Sequence, residues 1–137
     1  MKRFLCVLLA CLMITPAFAD QFVDDFNDYT GLYGIENLTF FMSDDQVTYY
    51  TCGNAMISYS DNMVTIMSED ALDVITVSCC VLRCVDNSGS MIDQYGRLLH
   101  AYYLHKTGTE QATATTVSGT HIFFTTIDGL FCVGVMK

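Results

Sequence analysis

The fold is decided by one apolar run, Val74-Ile75-Thr76-Val77-Ser78-Cys79-Cys80-Val81-Leu82-Arg83-Cys84-Val85, which ends at the polar segment Asp86-Asn87-Ser88-Gly89-Ser90. If residues 74–82 are extended, alternate side chains form two faces that are both fairly apolar. A strand of this kind is usually covered on both sides by other elements. The run therefore predicts the central strand of a sheet, including Ile75 to Val81.

A helical pattern follows the polar segment. Apolar and aromatic side chains recur at three- and four-residue steps from Met91 to Tyr103. Ser90 and Asp93 resemble a capping box in which Asp replaces the usual Glu or Gln. Gly96 weakens a helix by about 1 kcal/mol relative to alanine, which the aromatic face can offset. We expect the main amphipathic helix to include Ile92 to Leu104.

A second helix is predicted near the amino terminus. Phe22, Phe26, Tyr29 and Tyr33 are separated by four, three and four residues, which places them on one helical face. Gly34 can end this helix in a left-handed conformation.

The segments on either side of the central run have the pattern of antiparallel strands. From Glu36 to Ser68 the period is two, and turn residues divide the segment into short strands. From Ala112 to Val135 the same pattern returns, with Asp128-Gly129 as a strong hairpin signal. The sequence thus predicts a single α+β domain with a mainly antiparallel sheet, an N-terminal helix and one main amphipathic helix packed against it.

Residues 1–19 have the pattern of a secretory signal peptide. Lys2 and Arg3 precede an apolar run, and Ala17-Phe18-Ala19 forms a small-x-small cleavage site. The folded domain is then expected at residues 20–137, in a secreted, periplasmic or cell-surface protein. Cys11 lies in a segment that resembles a lipid-attachment box, so a lipoprotein is the alternative.

The charge of the chain excludes some partners. It has 15 acidic and 6 basic side chains, and loss of the signal peptide removes two of the bases. Such a protein repels phosphate backbones, so nucleic acid is a poor partner.

The apolar run at the amino terminus is too short for a membrane span of about 20 residues, and no membrane span is expected later in the chain.

Five of the seven cysteines remain after signal-peptide cleavage, namely Cys52, Cys79, Cys80, Cys84 and Cys132. An odd number leaves at least one without a partner in the chain. Export favours disulfides, but cysteine also serves as a small buried apolar residue. One or two disulfides and five free thiols are both open. Zinc is disfavoured, because Cys80 and Cys84 form the only pair with suitable spacing.

The polar segment carries the pattern D-x-S-x-S between an apolar run and a helix. It resembles the metal-ion-dependent adhesion site of von Willebrand factor A-type domains. The resemblance implies that Asp86, Ser88 and Ser90 coordinate Mg²⁺ directly or through water. In that family a longer alternation of strands and helices follows the motif, whereas 47 residues follow it here. Small polar residues at such a place also form a tight turn with a helix cap.

Other catalytic patterns are weak. His100 and His105 are five residues apart, so they lie on different sides of a helix. We therefore expect a small exported, non-catalytic binding module without a cofactor, whose partner is an unknown protein or small molecule. The alternative is a divalent-metal-dependent adhesion-like module that uses Asp86, Ser88 and Ser90. A small enzyme with a Cys-His pair is a third hypothesis.

Overall fold

The structure is a computed structural model that describes residues 17–136, apart from Asn87 and Thr109. Most of the predicted signal peptide, residues 1–16, lies outside the described residues. The helices are α1 (Ala17–Tyr33), α2 (Ala71–Val85) and α3 (Met91–Lys106). The strands are β1 (Thr39–Ser43), β2 (Thr48–Cys52), β3 (Ala55–Tyr59), β4 (Met63–Ser68), β5 (Ala112–Thr115), β6 (His121–Ile127) and β7 (Leu130–Met136).

The seven strands form one antiparallel sheet in the order β1-β2-β3-β4-β7-β6-β5. Strands β1–β4 form one series of hairpins and strands β5–β7 form a second. Pairing of β4 with β7 joins the two series into one sheet. The β6–β7 hairpin turns through Asp128 at φ +50° and Gly129 at φ +82°, as its Asp-Gly sequence predicts. The predicted α+β class and both antiparallel segments are confirmed.

The predicted central strand at Ile75 to Val81 is wrong, because these residues belong to helix α2. Asp70 caps this helix, and its Oδ1 accepts hydrogen bonds from the N–H groups of Leu72 at 2.7 Å and Asp73 at 3.4 Å. The sheet, α1 and α3 all contact α2, so apolar side chains lie on most of its sides. A helix buried all round lacks a polar face, and its sequence resembles that of a buried strand. Its 15 residues exceed the usual strand length, which is the signal that favours a helix.

The three helices of the described residues cover the same face of the sheet. The ring of Phe22 in α1 lies 4.5 Å from that of Tyr59, and the ring of Tyr102 in α3 lies 5.5 Å from that of Phe124. Helix α2 lies over β4 and β7 between them. The buried row under the helices crosses five strands through Tyr50, Ile57, Ile66, Val133 and Phe124. Burial of each such side chain contributes about 1.5–3 kcal/mol.

The N-terminal helix is confirmed as α1. Phe22 and Phe26 are buried on the predicted face, and Gly34 follows the helix with φ +66°. In the described part of the chain, no helix is both long enough and apolar enough to cross a bilayer.

The main amphipathic helix is confirmed as α3. Ser90 caps it, since its Oγ accepts a hydrogen bond from the N–H of Asp93 at 3.1 Å. The buried face is narrower than predicted, because Ile92 is 86% exposed and Leu99 is 39% exposed.

Candidate functional site

The carboxylate of Asp86 lies directly after α2 at the centre of a hydrogen-bond network. Its Oδ1 accepts from the N–H of Ser88 at 2.9 Å and from the Ser88 hydroxyl at 2.5 Å. Its Oδ2 accepts from the hydroxyl of Ser118 at 2.6 Å and from that of Thr116. Asp86 is only 6% exposed, so these donors replace water. We call Asp86, Ser88, Thr116 and Ser118 the Asp86 cluster.

The Asp86 cluster joins segments that are distant in sequence. The N–H of Ser118 donates to Ser88 Oγ at 3.1 Å, which connects the β5–β6 turn to the loop before α3. The buried Gln94 in α3 donates from Nε2 to the backbone oxygen of Asp86 at 2.8 Å. The end of α2, the first turns of α3 and the β5–β6 turn are therefore fixed to one another.

The pKa of the Asp86 carboxyl lies well below its usual range. Burial raises the pKa, because the charged form loses solvation. Hydrogen bonds from Ser118, Ser88 and Thr116 stabilise the charged form and outweigh burial. At neutral pH the group is a carboxylate that accepts hydrogen bonds, and it has no proton to donate as a general acid.

Of the three residues in the D-x-S-x-S pattern, the structure brings Asp86 and Ser88 together, while Ser90 serves as the cap of α3. Both carboxylate oxygens of Asp86 already accept hydroxyl hydrogen bonds. Among the described residues, no three or more His, Cys, Asp or Glu side chains are placed to hold a metal ion. Coordination of Mg²⁺ by Asp86, Ser88 and Ser90 stays a prediction.

Sequence reasoning missed Thr116 and Ser118 as partners of Asp86. They lie 30 and 32 residues further along the chain. The only local signal is a turn rich in small polar residues, which by itself does not name a partner.

All five cysteines of the described chain are free thiols. Cys80 donates to the backbone oxygen of Phe26 at 3.4 Å, which links α2 to α1. Burial raises the pKa of Cys79 to about 12 and that of Cys52 to about 11. Because the thiolate is the reactive form, these groups are poor nucleophiles at neutral pH. They pack as small apolar side chains.

Two histidines lie beside threonines. His105 Nε2 is 2.6 Å from the hydroxyl of Thr126, and His121 Nδ1 is 3.4 Å from that of Thr115. Neither contact involves a cysteine, so neither supports the Cys-His hypothesis.

Searches against protein-family models, curated proteins and solved structures found no match. Function must therefore be inferred from the surfaces and the chemistry of the chain.

The two edges of the sheet differ. At the β5 edge, Arg97 of α3 donates to the backbone oxygen of Thr115 at 2.6 Å. A groove of about 400 Å³ there is lined by side chains from both α3 and β5. At the β1 edge three consecutive apolar residues are exposed, with exposed fractions of 57% for Phe40, 58% for Phe41 and 47% for Met42. Helix α3 thus partly covers the β5 edge, whereas β1 presents apolar side chains to solvent.

Charge is divided unequally along the chain. Residues 20–82 contain eleven acidic side chains and no Lys, Arg or His, whereas residues 83–137 contain four acids, four Lys or Arg side chains and three histidines. The first segment forms α1, β1–β4 and most of α2. Asp44 and Asp45 directly follow β1, and both are exposed. The half of the sheet that ends at β1 is therefore strongly acidic.

A cleft of about 730 Å³ lies at the start of α2, within the acidic half. Glu69, Asp70 and Asp73 line it together with the side chains of Met56 and Met67. Oδ1 of Asp70 is engaged in capping the helix. The cleft adds to the negative potential of this half of the protein.

Proposed function

We propose that the protein is an exported, non-catalytic binding module that takes up an extended segment of a partner protein as an additional strand on β1. The observation that carries this proposal is the unshielded apolar edge formed by Phe40, Phe41 and Met42. Natural sheets usually protect their edges, because unpaired N–H and C=O groups bind other strands. An edge that is apolar and accessible is a common peptide-binding element.

The backbone of β1 supports strand addition. The N–H of Asp44 donates to Val47 O at 2.9 Å, so the backbone polar groups of Asp44 point towards β2. Because successive residues of an antiparallel strand point their N–H and C=O groups to opposite sides, those of Ser43 point away from β2. A bulge between Phe40 and Met42 interrupts the register with β2, but β1 remains the last strand on this side of the described sheet.

Charge identifies the chemistry of the partner. Glu36 precedes β1, Asp44 and Asp45 follow it, and no basic side chain occurs in residues 20–82. A partner segment with an apolar centre and Lys or Arg on both sides would contact apolar side chains along β1 and acids at its ends. Electrostatic complementarity of this kind raises association rates and suppresses wrong partners. A second copy is disfavoured at β1, because it would bring two acidic halves together.

The test uses two labelled peptides with the same Val-Thr-Val-Phe-Val core. One has two lysines on each side and the other has two glutamates. Fluorescence anisotropy should show the lysine-flanked peptide binding at least about tenfold more tightly at low salt, with the difference shrinking as salt screens the charges. On binding, the Ser43 amide should gain protection from hydrogen exchange.

Three variants locate the peptide. Phe41→Lys should weaken binding of the lysine-flanked peptide by about tenfold or more, since it removes an apolar contact and adds a like charge. Asp45→Lys should weaken it about three- to tenfold. Glu110→Lys makes the same charge change at an exposed residue just before the β5 edge and should have little effect. Equal loss in all three variants, or no binding at about 1 mM peptide, would refute strand addition at β1.

A further inference from the structure

The face of the sheet opposite the helices is free of Asp, Glu, Lys and Arg in all seven described strands. The side chains on this face follow from the alternation along each strand and from the pairing between strands. They are mainly threonine and methionine, with Tyr49, Phe123 and His121. The methionines are Met42, Met56, Met63, Met67 and Met136. We call this surface the open face.

The open face differs from the usual exposed side of an antiparallel sheet. The solvent-facing side of such a sheet normally carries polar residues, including charged ones. Here the sheet belongs to a chain of net charge −9, yet its acids lie elsewhere. A broad uncharged surface rich in methionine is typical of an interaction site, because methionine adapts to the shape of a partner.

We propose that the open face binds a second copy of this chain, so that two sheets pack face to face in a symmetric dimer. The proposal does not depend on strand addition at β1, because one surface is a face of the sheet and the other is its edge; Met42 is the one residue named in both.

The size of the open face suits a dimer. Seven strands at a spacing of about 4.8 Å give a width of about 30 Å, and strands of this length are about 20 Å long. The face then covers on the order of 600 Å² per copy, and a dimer would bury about 1,200 Å² in total. Specific interfaces begin at about this area.

The shape of the open face is also suitable. The ring of Phe123 lies over Gly134 of β7, where an added Cβ would overlap the ring. The ring thus fills the gap that a glycine would leave on the sheet surface. Two such surfaces can approach at the separation of about 10 Å found between packed sheets.

Charge is compatible with a second copy as the partner. Two acidic molecules repel wherever their acids meet, and the described strands contribute no Asp or Glu to the open face; Glu69, Asp70 and Asp73 lie at one end of it, in the cleft beside Met56 and Met67. Charge also selects the orientation of the pair. With a two-fold axis parallel to the strands, the acidic half of each copy lies opposite the charge-balanced half of its partner. With the axis across the strands, the two acidic halves would face each other.

Thr65 lies near the middle of β4, and β4 is the fourth of the seven strands. A two-fold axis between the sheets that passes through their centres places Thr65 opposite its own copy, since such an interface is formed by the same patch on both chains. Thr65 is therefore the position at which a charge acts most directly on the dimer. It is half-buried, so the substitution should leave the fold intact.

Sedimentation equilibrium of the purified protein tests the proposal, with reductant present because Cys132 also lies on the open face. We expect a dimer with a dissociation constant on the order of 10 μM. Thr65→Lys should raise this constant by at least about 100-fold, because like charges would meet at the axis. Thr65→Glu should do the same. A mixture of the two variants should recover dimers, since opposite charges would then face each other.

The matched control is Leu72→Lys, which adds the same charge at a residue of α2 that is 60% exposed. This variant should dimerise at least as well as the original protein, because it reduces the net negative charge. A monomer at about 1 mM would overturn the proposal, and so would unchanged dimerisation of Thr65→Lys or equal loss in Leu72→Lys. Peptide binding at β1 is measured separately and survives each of these outcomes if strand addition is correct.

Discussion

Replacing Asp86 by Asn tests whether the Asp86 cluster holds the fold together. In the Asp86→Asn variant the side chain would keep one acceptor oxygen, while the new NH₂ group would face two hydroxyl groups that now donate to Oδ2. Hydrogen bonds to a charged group contribute about 1.5–3 kcal/mol each, and two would lose their acceptor. Because such contributions are not additive, we expect the free energy of unfolding to fall by about 3 kcal/mol at neutral pH.

The loss of unfolding free energy in Asp86→Asn should depend on pH. The pKa of Asp86 is lowered in the folded state, so its stabilising effect is present above the unfolded value of about 3.9. The effect is lost as pH falls through that value towards the folded pKa. The difference between the original protein and Asp86→Asn should therefore be full at neutral pH and shrink below about pH 5.

Urea unfolding followed by circular dichroism, at neutral pH and at several acidic values, measures this difference. The control is Asp93→Asn, which removes a partly exposed carboxylate paired with Arg97 at 2.9 Å. That change should cost less than about 1 kcal/mol. A loss below about 1 kcal/mol for Asp86→Asn, or a loss that does not change with pH, would refute the assigned role.

Four further outcomes are expected. Val77→Asp should unfold the protein, because Val77 is 2% exposed and the charge would be buried without a partner, whereas Leu99→Asp should cost less than about 1.5 kcal/mol at a partly exposed site; thermal unfolding compares them. Gly134→Ala should destabilise by about 1–3 kcal/mol through overlap with the ring of Phe123, and Phe123→Leu should relieve part of that cost in the double variant. A denatured, unreduced sample of chain that lacks residues 1–19 should react with five equivalents of a thiol reagent, while in the native state the half-buried Cys84 should react first. Calorimetric titration with Mg²⁺ should give no heat of binding, and submillimolar binding that the Asp86 substitution abolishes would instead support the adhesion-like hypothesis.

Sequence prediction succeeded for the elements that have one solvent-exposed face and failed for the element that is buried on most sides. Strands such as β2 and β4 alternate buried with half-buried residues, so their period of two is visible in the sequence. Helix α1 also has one wet face, and its aromatic residues reveal a helical period. Helix α2 is enclosed on most sides, so it lacks that signal and its sequence reads like a buried strand. Without the correct assignment of α2, the pairing of β4 with β7 could not be predicted.

The candidate sites depend on longer-range information. The D-x-S-x-S pattern correctly draws attention to Asp86, but its hydrogen bonding depends on Thr116 and Ser118, which only folding brings near. Phe40 and Met42 are predicted in a strand, yet nothing local indicates that this strand lies at an edge. Strand order decides that, and strand order is a property of the whole chain.

The two proposed surfaces have a joint consequence that follows from charge and strand order. In the dimer with its axis parallel to the strands, the β1 edge of each copy lies beside the β5 edge of its partner. The two β1 edges are then on opposite sides of the assembly, about 30 Å apart by the width of the sheet. One short peptide cannot bridge that distance, because an extended chain spans at most about 3.6 Å per residue. The dimer would therefore bind two separate segments, or one long partner with two basic, apolar segments whose linker can reach from one edge to the other.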